Sequence, residues 1–293
     1  AKSDAADARV LADLVRTDRQ RHRAVAGDSE LAETIKLLAR THQNFVWERR
    51  RHANRLRSTL REFYPQALEA FGTKLSSPDA VAVLTVAPTP ALGRRLSRSK
   101  LAAVLRRAGR SRGVEPRAEE IQRALRSEQL GAPESLEQTY GLIVTSLVGL
   151  IGGLNDQIER LEAQLEVAFE RHPDAEVLSS LPGLGFVLGA RVLGEFGDDP
   201  TRYADARARR NYAGTSPITK ASGKGRVVLA RFARNTRLAD ACYQWAFSSL
   251  TGSPGARAFY DSHRARGKTH TQALRALANR LVGIMHGCLR HGE

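Results

Sequence analysis

One serine lies in a sequence setting that could support phosphoryl transfer. Ser222 occupies a glycine- and serine-rich segment in which Lys220, Lys224 and Arg226 are near neighbours. A serine hydroxyl is a weak nucleophile at neutral pH and needs a nearby base or an activated electrophile. Cations help because they stabilise the negative charge that builds up on a phosphoryl group under attack. Taken alone, the segment is described more simply as a loop that binds phosphate without catalysis.

A second candidate phosphate site is the turn Pro182-Gly183-Leu184-Gly185, which separates two apolar segments in the manner of a helix-hairpin-helix. Gly183 and Gly185 would let backbone N–H groups approach a phosphate, and the following helix N-terminus would add its dipole. An ordinary turn between two helices, in which the glycines only supply backbone freedom, explains the pattern equally well.

Two arginine-rich helical segments are candidate nucleic-acid contacts. Residues 231–250 are predicted to form a helix whose early turn presents Arg231, Arg234 and Arg237 on one face, because they are three residues apart. The other segment is predicted to be a basic helix that carries Arg49, Arg50, Arg51 and Arg55. A charge run of this kind is often only a solvated face, but the aromatic residues Trp47, Phe63 and Tyr64 are interleaved with it and favour stacking on bases.

The charge balance predicts a polyanionic partner. The 293 residues contain 46 Lys and Arg against 31 Asp and Glu, a formal net charge of +15. Nucleic acid is the commonest partner for such a surplus, and an anionic membrane surface is the competing one. No apolar run approaches the roughly 20 residues of a membrane-spanning helix, so no membrane partner is expected. The two cysteines form no CxxC pair, which favours a reduced, cytoplasmic location over a zinc site.

Hydrophobic spacing predicts a mainly α fold. A basic helical region is expected over residues 28–133, and a compact helical C-terminal domain with the helix-hairpin-helix-like turn over residues 173–293. Between them, apolar residues step by four and three over residues 134–172, which predicts a coiled-coil arm that joins chains into a homo-oligomer. These residues are Ile143, Leu147, Leu150, Leu154, Ile158, Leu161, Leu165 and Ala168.

Three segments together resemble the DEDD-type insertion-sequence transposases, a family that includes site-specific DNA invertases and members guided by a bridge RNA. Residues 2–8, KSDAADA, are similar to the motif with the last acidic pair of the family's RuvC-like domain, of ribonuclease-H fold. The stretch LPGLGFVLGARVLGEFGD, followed by YAGTSP and ASGKG, resembles the core of its C-terminal transposase domain. The ending that starts at FYDSHRARGKTH is similar to the closing helices of that domain.

The resemblance implies roles for particular residues. It makes Ser222 the nucleophile that forms a covalent phosphoserine link to DNA, with Thr215 and Ser216 as alternative hydroxyls. It makes Asp4 and Asp7 ligands of Mg²⁺, whereas the residues alone are described as a helix N-cap and a solvated acid. Residues 1–27 would then be the C-terminal remnant of the RuvC-like α/β domain. Because the first acidic pair of that domain is not in the sequence, the chain is expected to be an N-terminally shortened form.

Two functions from different classes follow. The first is a transposase or recombinase that cuts and rejoins DNA through Ser222 with Mg²⁺ assistance, guided by a structured RNA. In an oligomer, Asp4 and Asp7 of one chain could act with Ser222 of another. The alternative is a non-catalytic DNA- or RNA-binding scaffold that dimerises through its coiled coil, in which Ser222 only contacts phosphate.

Overall fold

A computed structural model describes residues 4–19, 27–128, 132–223 and 225–292. It is 74% helix and 4% strand, which confirms the predicted mainly α fold. The elements in chain order are α1 (Asp4–Asp18), α2 (Glu30–Phe63), α3 (Pro65–Phe71), α4 (Pro78–Val86), α5 (Pro90–Arg95), α6 (Arg98–Arg107), α7 (Val114–Leu125), α8 (Glu134–Glu170), α9 (Ala175–Ser180), α10 (Phe186–Phe196), α11 (Ala206–Tyr212), β1 (Ile218–Ser222), β2 (Gly225–Leu229), α12 (Thr236–Gly252), α13 (Pro254–Ala265) and α14 (His270–His291).

Helix starts in the C-terminal part are set by polar caps. The side chains of Asp205 and Asn235 accept hydrogen bonds from the backbone N–H groups three residues later, at the starts of α11 and α12. α14 begins with a capping box in which Thr269 and Gln272 each accept from the other's backbone N–H. These contacts satisfy donors that the first helical turn leaves unpaired, and each stabilises its helix by about 1 kcal/mol.

The chain divides into two compact units. One contains Ala1–Leu37 and Ala168–Glu293, and the other contains Leu38–Val167, so the boundaries fall inside α2 and α8. The predicted division into four parts, with a RuvC-like remnant over residues 1–27, stays a prediction.

The unit of residues 38–167 has a core built from α2 to α8. Phe63 and Tyr64 are fully buried in it, and Phe63 stacks on Tyr140 with 4.8 Å between ring centroids. Burial raises the pKa of the Tyr64 hydroxyl far above its usual value. The interpretation of Phe63 and Tyr64 as base-stacking residues is therefore wrong, because their rings are used in packing.

Helix α8 spans most of the segment predicted to be a coiled-coil arm. Its apolar residues Val144, Leu147, Val148 and Ile151 lie in the core of the unit of residues 38–167. The helix also has an 18-residue window with a mean hydropathy of 1.3, enough by length and composition to cross a membrane, and 33% of that window is buried inside the protein. A single helix of this kind is weak evidence for a membrane span. Self-association through α8 stays a prediction.

In the other unit, the start of α2 is tied to residues that follow α10. Asp28 forms an ion pair with Arg202 (2.6 Å), and the backbone N–H of Ser29 donates to Asp198 (3.0 Å). Gly194 of α10 lies so close to α2 that a Cβ there would sit 2.7 Å from the Cα of Lys36. These contacts hold the two sequence-distant ends of the unit together.

The core of this unit surrounds Trp245 of α12. Trp245 is fully buried, and its Nε1 donates to the carbonyl oxygen of Pro182 (3.0 Å), in the turn between α9 and α10. Leu274, Leu277 and Leu281 of α14 are buried in the same unit. The C-terminal segment thus folds as a helical core with α12 and α14 packed together.

The two cysteines are expected to differ sharply in reactivity. Cys242 is fully buried and burial raises its thiol pKa to about 12, whereas Cys288 is half-buried. The thiolate is the reactive form, so at pH 8 a thiol reagent should label one thiol per native chain and two in denaturant. Mass spectrometry of the labelled peptides checks this, and rapid labelling of Cys242 in the native protein would contradict the buried position.

Candidate active site and nucleic-acid interface

Ser222 lies at the end of strand β1, in an antiparallel hairpin with β2. The prediction of an irregular loop here is wrong. The β-branched residues Ile218, Thr219, Val227 and Val228 favour strands, and Gly223, at φ +55°, adopts the left-handed conformation that a tight hairpin turn requires. The hairpin therefore holds Ser222 at its tip, where the residue is exposed.

The cations around Ser222 are divided between the two faces of the hairpin. Lys220 is two residues from Ser222 on the same strand, so their side chains share a face. Arg226 pairs with Ala221 and therefore lies on the opposite face. Both cations are exposed, whereas Lys224 lies outside the described residues. Lys220 is thus better placed than Arg226 to act on a group attacked by Ser222.

The three arginines predicted to share a helical face do not. Helix α12 begins at Thr236 because Asn235 caps it, so Arg231 and Arg234 precede the helix and only Arg237 belongs to it. The side-chain amide of Asn235 also donates to the buried carboxylate of Glu195 (2.7 Å), which fixes the helix start.

Arg231 and Arg234 contact the segment around α11 instead. Arg231 donates through Nη2 to Asn211 Oδ1 (3.3 Å). The side chain of Arg234 covers Gly214, at φ +69°, where a Cβ would lie 2.6 Å from that of Arg234. These arginines therefore stabilise the segment that precedes the hairpin.

A cationic cavity of about 870 Å³ lies beside the base of the hairpin. Val228 and Leu229 of β2 contribute to one wall, and α13 and α14 supply the rest together with residues near α11. Its titratable lining residues are all basic: Arg210, His263, Lys268, Arg275 and Arg280. The pKa of His263 is lowered by burial and by Lys268 and Arg266. No sequence pattern indicates this cavity, because its lining comes from several elements.

The alternative hydroxyls Thr215 and Ser216 are held at this cavity. Each hydroxyl oxygen lies 3.3 Å from Asn279 Oδ1 of α14, to which it can donate. Thr215 Oγ1 also lies 3.2 Å from the carbonyl oxygen of Arg210, so its single proton has two acceptors within reach. Thr215 is buried, and Ser216 is half-buried. Both hydroxyls are thus engaged as donors, in contrast to the exposed position of Ser222.

The two turn glycines have different surroundings. Gly183 adopts φ +78°, and a Cβ on it would lie 2.7 Å from the Cα of Ser249 in α12. Gly183 is therefore required for packing of the turn against α12, as in an ordinary helix–helix turn. Gly185 precedes α10 and is exposed, and a Cβ added to it would have no atom of the described residues within 4 Å. Of the two glycines, Gly185 is the one that leaves open space for a phosphate.

Asp4 and Asp7 lie in the first turn of α1, a helix with no buried residue. Across the described part of the chain, no group of three or more His, Cys, Asp or Glu residues is placed to hold a metal ion. Mg²⁺ requires near-octahedral oxygen coordination, so two exposed carboxylates alone do not make a complete site for it. Lys2 of the same motif lies outside the described residues.

Some of the candidate arginines of α2 contact other residues of their own unit. Arg49 donates to Asn155 Oδ1 of α8 (3.0 Å). Arg51 forms an ion pair with Glu48, with 3.6 Å between Nη2 and Oε1. Arg50 and Arg55 are exposed. Trp47, 39% exposed, is the one aromatic residue of the predicted stacking set that reaches the surface.

Two family models match the sequence. A transposase model of the DEDD IS110 type matches residues 1–65, and the model described as transposase IS116/IS110/IS902 family matches residues 175–261. The first stretch contains Asp4 and Asp7, and the second contains Ser222 with its hairpin. The matches thus fall on the two places where candidate catalytic residues lie.

Similar proteins extend over almost the whole chain. A mini-circle protein named as the putative transposase for IS117, from Streptomyces coelicolor, is 45% identical over 292 residues, which cover 99% of this chain and 70% of that protein. A 43.6 kDa protein of insertion element IS110 from the same species is 32% identical, over 100% of this chain and 71% of its own length. A 42 kDa protein of insertion element IS900 from Mycobacterium paratuberculosis is 31% identical, over 99% of this chain and 71% of its own length.

Proposed function

This chain belongs to the IS116/IS110/IS902 family of transposases, and from that premise we propose that it cuts and rejoins DNA with Ser222 as the nucleophile. The observation that carries the proposal is the exposed position of Ser222 at the tip of the hairpin, within the segment matched by the C-terminal family model. Its test is a protein–DNA adduct that survives denaturation and is lost when the hydroxyl is removed.

The proposed step is a transesterification. The Ser222 oxygen attacks a backbone phosphorus, a new phosphoserine ester forms, and one P–O bond of the DNA breaks. The serine gives up its proton, and the departing DNA oxygen gains one and leaves as a free hydroxyl. Because one ester replaces another, the free energy of the broken bond is conserved and rejoining needs no nucleotide hydrolysis. Lys220, on the same face as Ser222, would stabilise the charge that develops on the phosphoryl oxygens.

The cationic cavity supports the proposal from the other end of the hairpin. Arg210, Arg275 and Arg280 line it, and guanidinium groups bind phosphates in a fixed planar geometry. We infer that a DNA strand runs from this cavity along the hairpin towards Ser222, with Arg226, Arg237 and the open turn at Gly185 as further backbone contacts.

The proposal extends to a divalent metal, a guide RNA and self-association of the chain. The DEDD-type family match suggests a divalent metal, and Asp4 and Asp7 are the ligands that this chain would contribute, but they do not suffice for Mg²⁺ by themselves. Exposed Arg50 and Arg55 of α2 are proposed contacts for a structured guide RNA or for DNA. Exposed Leu142, Ile143 and Leu150 of α8 would be the surface through which chains associate in the cytoplasm.

A non-catalytic binding scaffold remains the second candidate. The observation in its favour is the position of Arg210, Arg275 and Arg280 around a cavity that needs no nucleophile to bind phosphate. The two functions differ in one measurement. A scaffold binds DNA with a salt-sensitive affinity and forms no adduct. The transposase also binds DNA in this way, but it forms the adduct as well.

The hairpin cations are expected to contribute to DNA affinity in a sequence-independent way. Replacing Lys220 and Arg226 together by glutamine should weaken binding about tenfold at low salt and lower the slope of log K against log salt by about two, because about two phosphate contacts are lost. Fluorescence anisotropy over a salt series measures both quantities. The matched control is the double variant Arg171→Gln, Arg257→Gln, which removes the same charge at two exposed residues that line neither the cavity nor the hairpin. An equal loss there would make the effect one of net charge only.

A further inference from the structure

A second cavity, of about 550 Å³, lies in the same unit but has none of the residues proposed for DNA cutting. Leu178 of α9, Val192 of α10, and Met285 and Leu289 of α14 give it an apolar wall. Arg209 of α11 lines it as well. A cavity of this size is within the usual range for sites that bind small molecules, which combine apolar walls with a few polar groups.

Arg209 is the unusual residue of this cavity. Only 7% of it is exposed, and its guanidinium lies over two aromatic rings, 4.8 Å from the centroid of Tyr203 and 5.3 Å from that of Phe196. Its Nε and Nη1 are buried and have no hydrogen-bond partner among the residues that the structure describes. Burial lowers the pKa of Arg209, and Tyr203 and Asp174 act in the opposite direction.

A buried charge without hydrogen bonds is costly, because a charged donor left unsatisfied costs more than a neutral one. The aromatic rings stabilise the cation from its faces, but they leave the N–H groups at its edge unmatched. An anion in the cavity would neutralise the charge and reduce this cost. Residues with such a cost usually have a functional reason for it.

The remaining charged and titratable groups of the cavity are of both signs: His286 and Arg290 line it together with the carboxylates of Asp174 and Asp198. His286 lines the cavity, and its Nδ1 is buried without a hydrogen-bond partner in the described part of the chain. Burial, together with the nearby charges of Arg209 and Arg290, lowers the pKa of His286. Arg290 is exposed and also lines the cavity. The carboxylate of Asp198, which lines it as well, already accepts from Ser29 and contacts His172 (3.3 Å).

We propose that this cavity binds the phosphate group of a nucleotide, with the base or sugar against its apolar wall. Arg209 and Arg290 are the donors for this phosphate, because guanidinium groups bind phosphate in a fixed planar geometry. The carboxylates of Asp174 and Asp198 line the same cavity and oppose an anion, so the unmatched N–H groups of Arg209, and not an excess of positive charge, carry the assignment. The same chemistry could come from a free mononucleotide or from the phosphorylated end of a nucleic-acid strand. The site is independent of the proposed nucleophile, so its failure and the failure of the Ser222 proposal would be separate results.

The two sources can be compared with matched pairs of ligands. Calorimetry with AMP and adenosine tests the free nucleotide, and fluorescence anisotropy with one oligonucleotide carrying either a 5′-phosphate or a 5′-hydroxyl tests the strand end. We expect at least one pair to show a preference of about tenfold or more for the phosphorylated member, the range of a charge-assisted hydrogen bond.

Three variants locate the site. Arg209→Met should remove the preference for phosphate. Ala204→Trp keeps every charge but adds a large side chain at an exposed residue that lines the cavity. Because this side chain would keep the phosphate from its hydrogen bonds to Arg209, the variant should bind the phosphorylated ligand about tenfold or more weakly. Arg257→Gln, on α13, removes one exposed positive charge elsewhere and should leave binding unchanged. If Arg209→Met does not fold, Ala204→Trp decides the question.

The proposal is overturned if neither pair shows a phosphate preference, or if the preference persists in Ala204→Trp. Tighter binding of a short acidic peptide than of AMP would overturn the assignment to phosphate. Loss of the preference in both Arg209→Met and Ala204→Trp, with Arg257→Gln unaffected, would establish the cavity as a nucleotide-phosphate site.

Discussion

Replacing Ser222 with alanine is expected to abolish the covalent protein–DNA adduct and to reduce strand exchange by about a thousandfold or more. Removal of a nucleophile leaves only the catalysis that comes from binding and charge stabilisation. Because Ser222 is exposed at the end of the hairpin, loss of its hydroxyl creates no cavity and breaks no core contact. The folded fraction and the DNA affinity of Ser222→Ala should therefore equal those of the parent protein.

The measurement is a labelled-DNA adduct that persists in denaturant, together with a transposition assay in cells. Ser216→Ala is the matched control, because Ser216 is the neighbouring hydroxyl that is hydrogen bonded to Asn279. It should retain the adduct. An adduct that persists in Ser222→Ala but disappears in Ser216→Ala would transfer the nucleophile to residue 216. Equal adduct levels in all three proteins would leave the scaffold as the better account of the chain.

Gly183→Ala is expected to lower the free energy of unfolding by about 3 kcal/mol or more. An alanine at φ +78° is strained, and its Cβ would lie 2.7 Å from the Cα of Ser249. The clash is with the backbone of α12, so no side chain can rotate away from it. Any shift of the turn would also disturb the hydrogen bond from Trp245 to Pro182. Chemical denaturation, followed by the fluorescence of Trp245, measures the loss.

Gly185→Ala provides the comparison within the same turn. Its φ is −67° and no described atom lies within 4 Å of the position of an added Cβ, so the only cost is that of a poorer N-cap for α10, and the loss of stability should stay within about 1 kcal/mol. A weaker DNA affinity in this variant, with the loss of stability within this range, would support phosphate contact at the turn. If Gly183→Ala proved as stable as Gly185→Ala, the packing described between the turn and α12 would be wrong.

Helices were the predictable part of the fold, and the errors have local causes. Hydrophobic spacing predicts α2 and α8, because each has one face in a core. The hairpin was missed because its strands are five residues long and nearly all exposed, so no alternation of buried and exposed residues indicates them. The start of α12 was placed too early because Asn235 is both a cap and a partner of Glu195, and spacing alone does not reveal a cap.

The candidate site, too, has one part that the sequence indicates and one that it does not. Ser222 could be selected from its neighbours in sequence, and its exposure agrees with a role in contacting DNA. The cavity beside the hairpin could not be predicted, since Asn279 reaches Ser216 across 63 residues of sequence. Residue types also misled where burial decides function: Phe63 and Tyr64 have the rings that would stack on bases, but both are in the core.

Because the hairpin is exposed, its strands are expected to become fully ordered only when DNA binds. Two short strands without a buried face are only marginally stable by themselves, so much of their order must come from the molecule that lies across them. We expect amide hydrogen exchange over β1 and β2 to be fast in the free protein and to slow markedly on DNA binding. The oxygen at the tip would then be aligned only while a strand is engaged, and stray phosphate esters in the cell would rarely meet it in a reactive pose.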